Sequence, residues 1–337
     1  MGWTALHHER FETSYHGAGV CVTGGAGFIG STLCQALVLL GAHVSIIDDL
    51  SSSTSARLTK LLEGESPGEA RFVHASILEP KALDEALDGA KFVFHLAAMA
   101  SAALSQSQPV RCVEVNGLGT ARVVQTARRA GAERLVFAAS ASAYGDSTGV
   151  NSESQLPMPL SPYGASKLAG EHIVTAWARS CGIDGVNLRF FNVFGAGQST
   201  DSQYAAVIPA FAKRLEARQS LVVYGDGEQT RDFVHVDDVV TAMLLAGSNE
   251  ERLNGATINI GTGKAISINE LASTMARLCA AADAQILHEP ARAGEVRHSL
   301  CEPSLATKLL GFEATTTLED GLQRMLDGCS GKRAAAV

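Results

Sequence analysis

The sequence predicts an α/β fold in which a doubly wound parallel sheet is followed by a smaller, mixed α/β lobe in the C-terminal half. Two observations predict it. Through the first two thirds of the 337 residues, short β-branched runs alternate with helical patterns, which is typical of βαβ units. Beyond Asn192 the alternation gives way to glycine-rich turns such as YGDGEQTRD, and the smaller lobe is expected there.

The alternating part of the chain predicts a series of strands and helices. The expected strands are residues 20–23, 43–48, 70–74, 92–96, 135–139 and 186–191. The expected helices are residues 31–40, 80–87, 110–130 and 163–180. In a doubly wound sheet, ligands bind at the carboxyl ends of the strands, so functional residues are expected there.

The two parts are expected to be discontinuous in sequence, because the helical pattern at residues 237–246 looks like a return to the first domain. Further helices are expected to begin at Val207 and Asn269. The expected division is a first domain at residues 17–191 plus 232–258, a lobe at 192–231 plus 259–328, and loose termini at 1–16 and 329–337.

Composition excludes several classes of protein. With 46% hydrophobic and 18% charged residues, the chain can bury a full core. A net charge of -8 gives no electrostatic footprint for nucleic acid or for an anionic membrane. The leader MGWTALHHERFETSYHGAG has charges where a signal peptide is apolar, so a cytoplasmic protein is expected. The seven cysteines lack CxxC spacing, so free thiols and no metal site are expected.

The segment GGAGFIG follows the first expected strand and puts glycines at positions 24, 27 and 30 before an apolar helix. Glycine permits a tight turn and lets the backbone approach a pyrophosphate, and the helix N-terminus offers free N–H groups to the phosphates. Asp48 ends the next strand, where a carboxylate accepts a hydrogen bond from a ribose 2′-hydroxyl and repels a 2′-phosphate. The first domain is therefore predicted to be a Rossmann-type domain that binds NAD rather than NADP.

A second motif, SPYGASK, puts Tyr163 four residues before Lys167, so the two side chains share one helix face. Alone, such a pair is common by chance and is more often an ordinary surface or half-buried pair. A nearby ammonium, however, lowers the pKa of a phenol from about 10 and makes it a possible general base. The preceding strand ends in AASASAYG, so Ser140 is expected at the same sheet edge. These groups beside a nicotinamide can remove a proton from a carbinol.

Further motifs accompany these two: HLAA at 95–98, VNGLGT at 115–120, AASASAYG at 138–145 and LRFFNVFG at 188–195. Together the set resembles the extended short-chain dehydrogenase/reductases that act on nucleotide sugars, over residues 18–325. The resemblance implies that Tyr163 is the base, that Lys167 lowers its pKa and holds the nicotinamide ribose, and that Ser140 hydrogen-bonds the reacting hydroxyl.

The resemblance also implies which residues contact the cofactor. At Ser76 the family usually has an aspartate beside adenine, so a weaker contact is expected there. The expected NAD contacts are Gly24, Gly27, Phe28, Ile29, Gly30, Asp48, Asp49, Ser51, Ser53, Ser76, Ile77, Leu96, Ala97, Ala98, Asn116, Tyr163, Lys167 and Phe190.

The reaction class is inferred from the two residues after the serine. The family's 4,6-dehydratases have Asp-Glu there, and its UDP-glucuronate decarboxylases have a glutamate at the second position, whereas this chain has Ala141 and Ser142. The chain therefore resembles a UDP-hexose 4-epimerase most. The resemblance implies tightly bound NAD, oxidation of the C4 hydroxyl to a ketone, and return of the hydride to the opposite face of the sugar.

Substrate contacts are likewise implied by the resemblance. Ser299 stands where 4-epimerases restricted to non-acetylated sugars have a tyrosine, so room for an N-acetyl group is expected. The chain resembles the subgroup acting on UDP-N-acetylglucosamine and UDP-N-acetylgalactosamine. The expected substrate contacts are Ser101, Ser140, Ser142, Asn192, Val207, Tyr224, Arg231, Arg292, Glu295 and Ser299.

Other functions remain open at this point. A UDP-glucuronate 4-epimerase, or a 4-ketoreductase that consumes reductant, would use the same residues. A noncatalytic NAD-sensing protein is the alternative from another class, although a sensor has no need of the proton-transfer residues. The family also implies a homodimer formed through the helices at residues 110–130 and 163–180.

Overall fold

The structure is a computed structural model that describes residues 11–63, 66–147, 149–198, 206–281, 284–291 and 296–334, except for the side chains of residues 60 and 328–334. Within these residues, seven parallel strands form the central sheet. Their spatial order is Ala256–Ile260, Asp184–Phe190, Arg134–Ser140, Phe92–His95, Gly19–Thr23, His43–Asp48 and Glu69–His74. The predicted α/β fold with a doubly wound, Rossmann-type sheet is confirmed.

The described helices cover the sheet and fill the smaller lobe. None of them has the length and apolar character needed to cross a membrane. Short 3₁₀ turns lie at Ser55–Arg57 and Ala141–Ala143. The helices are Phe28–Leu39, Thr59–Glu63, Pro80–Leu87, Ala102–Ser107, Pro109–Val113, Thr120–Arg129, Pro162–Ser180, Val207–Glu216, Val236–Gly247, Ile268–Leu278, Ser304–Leu310 and Leu318–Ala334.

The smaller lobe contains a mixed sheet and a two-stranded one. In the mixed sheet Thr230–His235 pairs with three others, and Val150–Asn151 pairs with His298–Cys301. The strands of the lobe are Val150–Asn151, Asn192–Phe194, Leu221–Tyr224, Thr230–His235, Ala265–Ser267, Ile286–Glu289 and His298–Cys301. The predicted mixed α/β lobe is therefore confirmed as well.

The sheet topology places the predicted functional segments at one edge. The chain enters the sheet at Gly19–Thr23 and crosses over in opposite directions from there, so the order reverses between this strand and Phe92–His95. A crevice forms outside the carboxyl ends of parallel strands at such a switch point. The glycine turn follows Gly19–Thr23, and HLAA begins at the last residue of Phe92–His95. Ser140 is the last residue of the neighbouring strand, Arg134–Ser140.

One predicted helix, residues 110–130, is interrupted. Pro109–Val113 and Thr120–Arg129 are α-helical, and Glu114–Gly119 between them is a π-helical turn. The turn brings the backbone close to its neighbours: a Cβ added at Gly119 would lie 2.6 Å from the Cδ1 of Ile77. Such π-helical turns are frequent at functional sites, and this one contains Asn116.

The leader is not loose throughout, contrary to expectation. Residues 11–15 are helical, and Phe11 and Tyr15 are buried in the core of the first domain. The Tyr15 hydroxyl donates to the Leu244 carbonyl at 2.8 Å, and the ring lies 5.2 Å from that of Phe92. Two aromatic rings four residues apart share one helix face and bury a large apolar area, which explains the ordering.

The C-terminal half differs from the expected division in two places. Leu310 and Phe312 pack into the core of the central sheet, although residues 259–328 were expected in the lobe. The backbone of the last helix also extends to Ala334, inside the expected loose tail of residues 329–337. Apolar packing decides the first difference, because Ser304–Leu310 lies against the edge strand Ala256–Ile260.

Candidate active site

The three predicted catalytic residues come together at the carboxyl edge of the sheet. Ser140 is the last residue of its strand, and Tyr163 lies in the first turn of the helix Pro162–Ser180. Ser161 caps this helix by accepting a hydrogen bond from the Gly164 N–H at 3.1 Å. The Ser140 hydroxyl lies beside the Tyr163 phenol, where it acts to lower the pKa of that phenol. The segment SPYGASK therefore starts a helix beside the end of the serine strand.

The pKa of Tyr163 does not shift in the direction expected from the sequence. Burial raises the pKa of Tyr163, and the hydrogen bond with Ser140 opposes this rise only in part. The Lys167 ammonium is directed elsewhere: its Nζ donates to the Ala138 carbonyl at 2.6 Å and lies 4.8 Å from the centre of the Phe137 ring. Burial also lowers the pKa of Lys167 to about 8. Desolvation therefore outweighs the predicted effect of the ammonium on the phenol.

Ser105 and Ser166, which the sequence reasoning missed, hold the Tyr163 helix in place together with the predicted cofactor residue Asn116. The Ser105 hydroxyl accepts from the Tyr163 N–H at 3.0 Å, which satisfies one of the free donors of the first helical turn. Asn116 donates to the Ser166 hydroxyl at 2.9 Å, and that hydroxyl donates to the Tyr163 carbonyl at 2.8 Å. Ser166 lies inside the quoted motif, but sequence spacing gives no sign of these partners.

A buried chain of hydrogen bonds links the glycine turn to the π-helical turn. Thr120 donates to the Asn116 carbonyl at 2.6 Å and so accepts from His95 Nε2 at 2.9 Å. His95 Nδ1 then accepts from the Thr23 hydroxyl at 2.7 Å, and that hydroxyl accepts from the Ala97 N–H. These directions require the neutral imidazole with its proton on Nε2. Burial agrees, because it lowers the pKa of His95 to about 3.

The glycine turn fits a dinucleotide phosphate. Gly24 has a φ of +71°, and a Cβ there would lie 2.6 Å from the Ala97 nitrogen. A Cβ at Gly30 would lie 2.2 Å from the Gly24 carbonyl oxygen, so the helix passes close to the turn. Gly27 precedes Phe28–Leu39, and in the described residues no side chain caps this N-terminus and no acid lies in its first turn. Its N–H groups suit an anion.

Asp48 organises the neighbouring loop and has capacity for one more donor. Its carboxylate accepts hydrogen bonds from the Ala26 N–H at 3.0 Å, the Leu50 N–H at 2.8 Å and the Ser53 hydroxyl at 2.9 Å. An ionised carboxylate offers about four lone-pair sites, so a ribose hydroxyl can use the fourth. The residues at this edge therefore fit NAD, the cofactor that the sequence predicts.

Other predicted cofactor residues make contacts within their own loops or are buried in the sheet. Asp49 accepts from the Ser51 N–H at 3.0 Å, and the Ser76 hydroxyl accepts from the Leu78 N–H at 3.3 Å. Phe190 is buried within the central sheet. Leu96, Ala97 and Ala98 follow the strand Phe92–His95 directly, at the edge where the glycine turn lies.

Four of the predicted substrate residues line one cavity of about 410 Å³ in the smaller lobe: Asn192, Val207, Tyr224 and Arg231. Most of its wall is apolar, from side chains such as Phe211 and Ile268, and a few polar groups project among them. Such a composition is typical of small-molecule sites. Sequence reasoning missed Gln198 and Gln229, which line the same cavity.

The remaining predicted substrate residues lie in different places. Ser299 is half-buried and directly opposite Arg231 in the paired strands, so both side chains project from one face of the sheet. Ser101 caps the helix Ala102–Ser107, and the Ser142 N–H donates to the Ser140 hydroxyl at 3.1 Å. Arg292 and Glu295 lie outside the described residues.

Comparison with known proteins supports the predicted family. The chain matches the model of the NAD dependent epimerase/dehydratase family over residues 20–261. It is 35% identical over 314 residues to UDP-glucose 4-epimerase of Mycolicibacterium smegmatis, covering 91% of this chain and 96% of that protein. Both domains of the fold are included in this similarity.

Solved structures are similar over almost the whole chain. The UDP-N-acetylglucosamine 4-epimerase from Methanobrevibacter ruminantium M1, in complex with UDP-N-acetylmuramic acid, has a TM-score of 0.87 and 31% identity, covering 94% of this chain and 99% of that chain. The UDP-glucuronic acid 4-epimerase from Bacillus cereus, in complex with UDP-glucuronic acid and NAD, has a TM-score of 0.84 and 30% identity, covering 93% and 99%.

We expect the Lys167→Met variant to reveal the cost of burying the ammonium. The folded pKa of about 8 lies below the ordinary 10.5. Between these values the unfolded chain binds more protons, so stability rises with pH. Without cofactor, the wild type should gain about 3 kcal/mol relative to the variant between pH 7 and pH 11. Urea unfolding across this pH range measures the gain.

The control for this comparison is Lys81→Met, since the Lys81 side chain is exposed. Its free energy of unfolding should follow the wild-type profile at every pH. Parallel profiles for Lys167→Met and the wild type would show that the Lys167 ammonium keeps its proton in the folded protein, contrary to the effect of burial described above.

Proposed function

The chain belongs to the NAD dependent epimerase/dehydratase family, and from that premise we propose that it is a UDP-hexose 4-epimerase that accepts N-acetylated sugars. The observation that carries the proposal is the grouping of Ser140, Tyr163 and Lys167 at the sheet edge that also has the glycine turn. Ala141 and Ser142 follow the serine, so the chain has no acid there to protonate a leaving group. Oxidation is then reversed rather than followed by elimination.

The proposed mechanism assigns one task to each side chain. NAD, when bound, supplies reversible oxidation and reduction at the C4 carbon of the sugar. Tyr163, once its phenol has lost its own proton, accepts the proton of the C4 hydroxyl, and Ser140 hydrogen-bonds the same oxygen. Lys167 adds a positive charge on the same helix face, four residues from the phenol. Oxidation and reduction need the same cofactor molecule in turn, so we propose that NAD stays bound between turnovers.

The acetylated substrate is supported by the small residue at the strand pair. Ser299 projects from the same face as Arg231, which we propose holds the diphosphate through its guanidinium. A tyrosine at this position would fill space that a serine leaves open. The solved relative from Methanobrevibacter ruminantium, which carries UDP-N-acetylglucosamine in its name, agrees with this size class.

A uronic acid substrate is the second candidate. The Bacillus cereus relative is a UDP-glucuronic acid 4-epimerase and has the same fold at 30% identity. Its substrate differs from UDP-glucose by a carboxylate at C6, which requires a donor or cation near the sugar. The experiments below therefore include UDP-glucuronate beside the neutral sugars.

We propose a homodimer formed through the helices that flank the π-helical turn and through the Tyr163 helix. Val110, Val113 and Leu118 project from this region with 71%, 56% and 49% of their surface exposed. An apolar patch on neighbouring helices suits an isologous contact with a second copy.

Sedimentation equilibrium should give the dimer mass, and the Val113→Glu variant should shift it to the monomer. A monomeric wild type at micromolar concentration would contradict the proposal.

The activity itself is tested by proton NMR. Purified protein incubated with UDP-N-acetylglucosamine, without added NAD, should produce the signals of the galacto epimer. Their appearance requires 4-epimerisation, retained cofactor and tolerance of the acetamido group together. Loss of a general base costs about 10²–10⁴-fold in rate, so Tyr163→Phe should lose turnover by that factor and keep its bound NAD.

A result without epimer would redirect the assignment. UDP-glucose and UDP-glucuronate are then tested in the same way. Turnover of UDP-glucose would show that the acetyl group was wrongly assigned, and turnover of UDP-glucuronate would show that the sugar class was wrongly assigned. No turnover of any of the three sugars, with NAD bound, would reject the epimerase proposal. A Tyr163→Phe variant with full turnover would reject the role of the phenol.

The size of the sugar site is tested by Ser299→Tyr. The larger side chain should lower kcat/KM for UDP-N-acetylglucosamine by about 100-fold or more through a steric clash, and leave UDP-glucose turnover close to wild type. Ser299→Ala is the matched control and should keep both activities. Equal losses on the two substrates in the tyrosine variant would mean that the size of residue 299 does not control whether the acetyl group fits the sugar site.

A further inference from the structure

A buried acid lies one helical turn beyond Lys167. Glu171 is four residues further along the helix Pro162–Ser180, so the two side chains lie on one face of that helix. Only 3% of the surface of Lys167 and 2% of that of Glu171 is exposed. The proton-transfer residues therefore have a buried carboxylate nearby that no step of the proposed mechanism uses.

The direct contacts of the Lys167 ammonium compensate its charge only in part. Its Nζ donates to the Ala138 carbonyl and lies over the Phe137 ring. A carbonyl dipole and a ring face are weaker partners for a cation than a carboxylate is. A buried cation without a counter-charge tends to release its proton. The role proposed for Lys167 requires the ammonium form, so the fold has to supply a negative charge near it.

Glu171 is the strongest source of negative charge around the ammonium. Burial lowers the pKa of Lys167, and Glu171, followed by Cys112, acts in the opposite direction. His95 also interacts with Lys167 but is neutral, because burial lowers its pKa to about 3. The phenol of Tyr163, on the same helix face, carries no charge until it ionises. The carboxylate of Glu171 is thus the main group that favours the charged lysine.

Arg189 keeps this carboxylate in its ionised form. The guanidinium of Arg189, on the strand Asp184–Phe190, donates to both Glu171 oxygens at 2.9 and 2.7 Å. A buried carboxylic acid on its own tends to keep its proton, and a bidentate guanidinium opposes this. Arginine does not lose its own proton in proteins, so the pairing persists while Lys167 titrates. One carboxylate therefore serves two cations, Arg189 through hydrogen bonds and Lys167 through space.

We propose that Glu171 is a positioning residue that keeps the buried Lys167 ammonium protonated, and that Arg189 keeps Glu171 ionised for this purpose. The inference deepens the proposed function, because it rests on the role of Lys167 beside the Tyr163 phenol. Lys167, Glu171 and Arg189 together carry one excess positive charge. Ionisation of Tyr163 makes the cluster of four groups neutral, so the excess charge acts against the burial of the phenol and favours the phenolate.

NMR of protein labelled with ¹³C at the lysine Cε tests this role without substrate, and the Lys167→Met variant assigns the signal. In Glu171→Gln, which has the same size without the charge, the Lys167 signal should titrate about one pH unit or more below the wild type in the same cofactor state. The double variant Glu171→Met/Arg189→Met removes both charges of the pair and should shift the signal in the same direction. The alkaline fall of kcat/KM should move to lower pH by the same amount.

Asp184→Asn is the matched control. Asp184 forms a buried ion pair with Arg134, in which Nε lies 2.8 Å from the carboxylate. Asp184 begins the strand that carries Arg189 five residues later, so the two ion pairs are about 17 Å apart along the strand. The control loses a buried carboxylate of the same kind at the other end of the sheet. Its Lys167 signal should titrate as in the wild type.

Three outcomes would overturn the inference. An unchanged Lys167 titration in both Glu171 variants would mean that the ion pair has only a structural role. An equal shift in Asp184→Asn would mean that a general loosening of the fold lowers the titration. The wild type needs no variant: a Lys167 signal that is already neutral at pH 7 would mean that Glu171 does not keep the ammonium protonated.

The epimerisation assay is independent of this titration. Epimerisation together with any of these three outcomes would reject the role of Glu171 alone. The expected shift in the Glu171 variants, together with no turnover of any of the three sugars, would reject the proposed function and keep the electrostatic role of Glu171.

Discussion

The position of the Tyr163 helix depends on one buried ion pair. Arg189, on the strand Asp184–Phe190, donates to both oxygens of Glu171 at 2.9 and 2.7 Å, and both side chains are almost fully buried. The guanidinium also lies 4.6 Å from the centre of the Tyr144 ring. Removing one partner of such a pair costs about 3–5 kcal/mol, because the other charge stays buried alone. The pair therefore fixes the helix against the sheet, and with it the distance between the phenol and Ser140.

Features that repeat along the chain were predictable from the sequence. The strands at residues 43–48 and 92–96 and the helix at residues 80–87 agree with the structure to within a residue, because β-branched runs and helical periodicity are local signals. The glycine turn was also predictable, since Gly24 and Gly30 are required by close backbone contacts that a side chain would disrupt. Ser140 and Tyr163 could be placed together because parallel strands end at one edge.

Features that arise from tertiary contact were not predictable. The sequence gives no sign that the Gln229 side chain donates to the Tyr224 carbonyl across a turn. The sign of the Tyr163 pKa shift was wrong for the same reason: spacing on a helix places Lys167 near the phenol, but only the packed structure reveals how strongly both groups are desolvated. Local sequence patterns indicate which groups lie near each other, whereas burial in the packed structure sets the pKa values of those groups.

The docking of the leader has a consequence for biosynthesis. Tyr15 is made 229 residues before Leu244, yet its hydroxyl bonds to the Leu244 carbonyl, and its ring packs beside Phe11 in a core that includes the helix Val236–Gly247. Translation is slow compared with local folding, so these two aromatic side chains lack the helix Val236–Gly247 as a packing partner until that helix has left the ribosome. The nascent protein thus has an incompletely packed apolar segment, which chaperones can bind, while the residues between Tyr15 and Leu244 are being made.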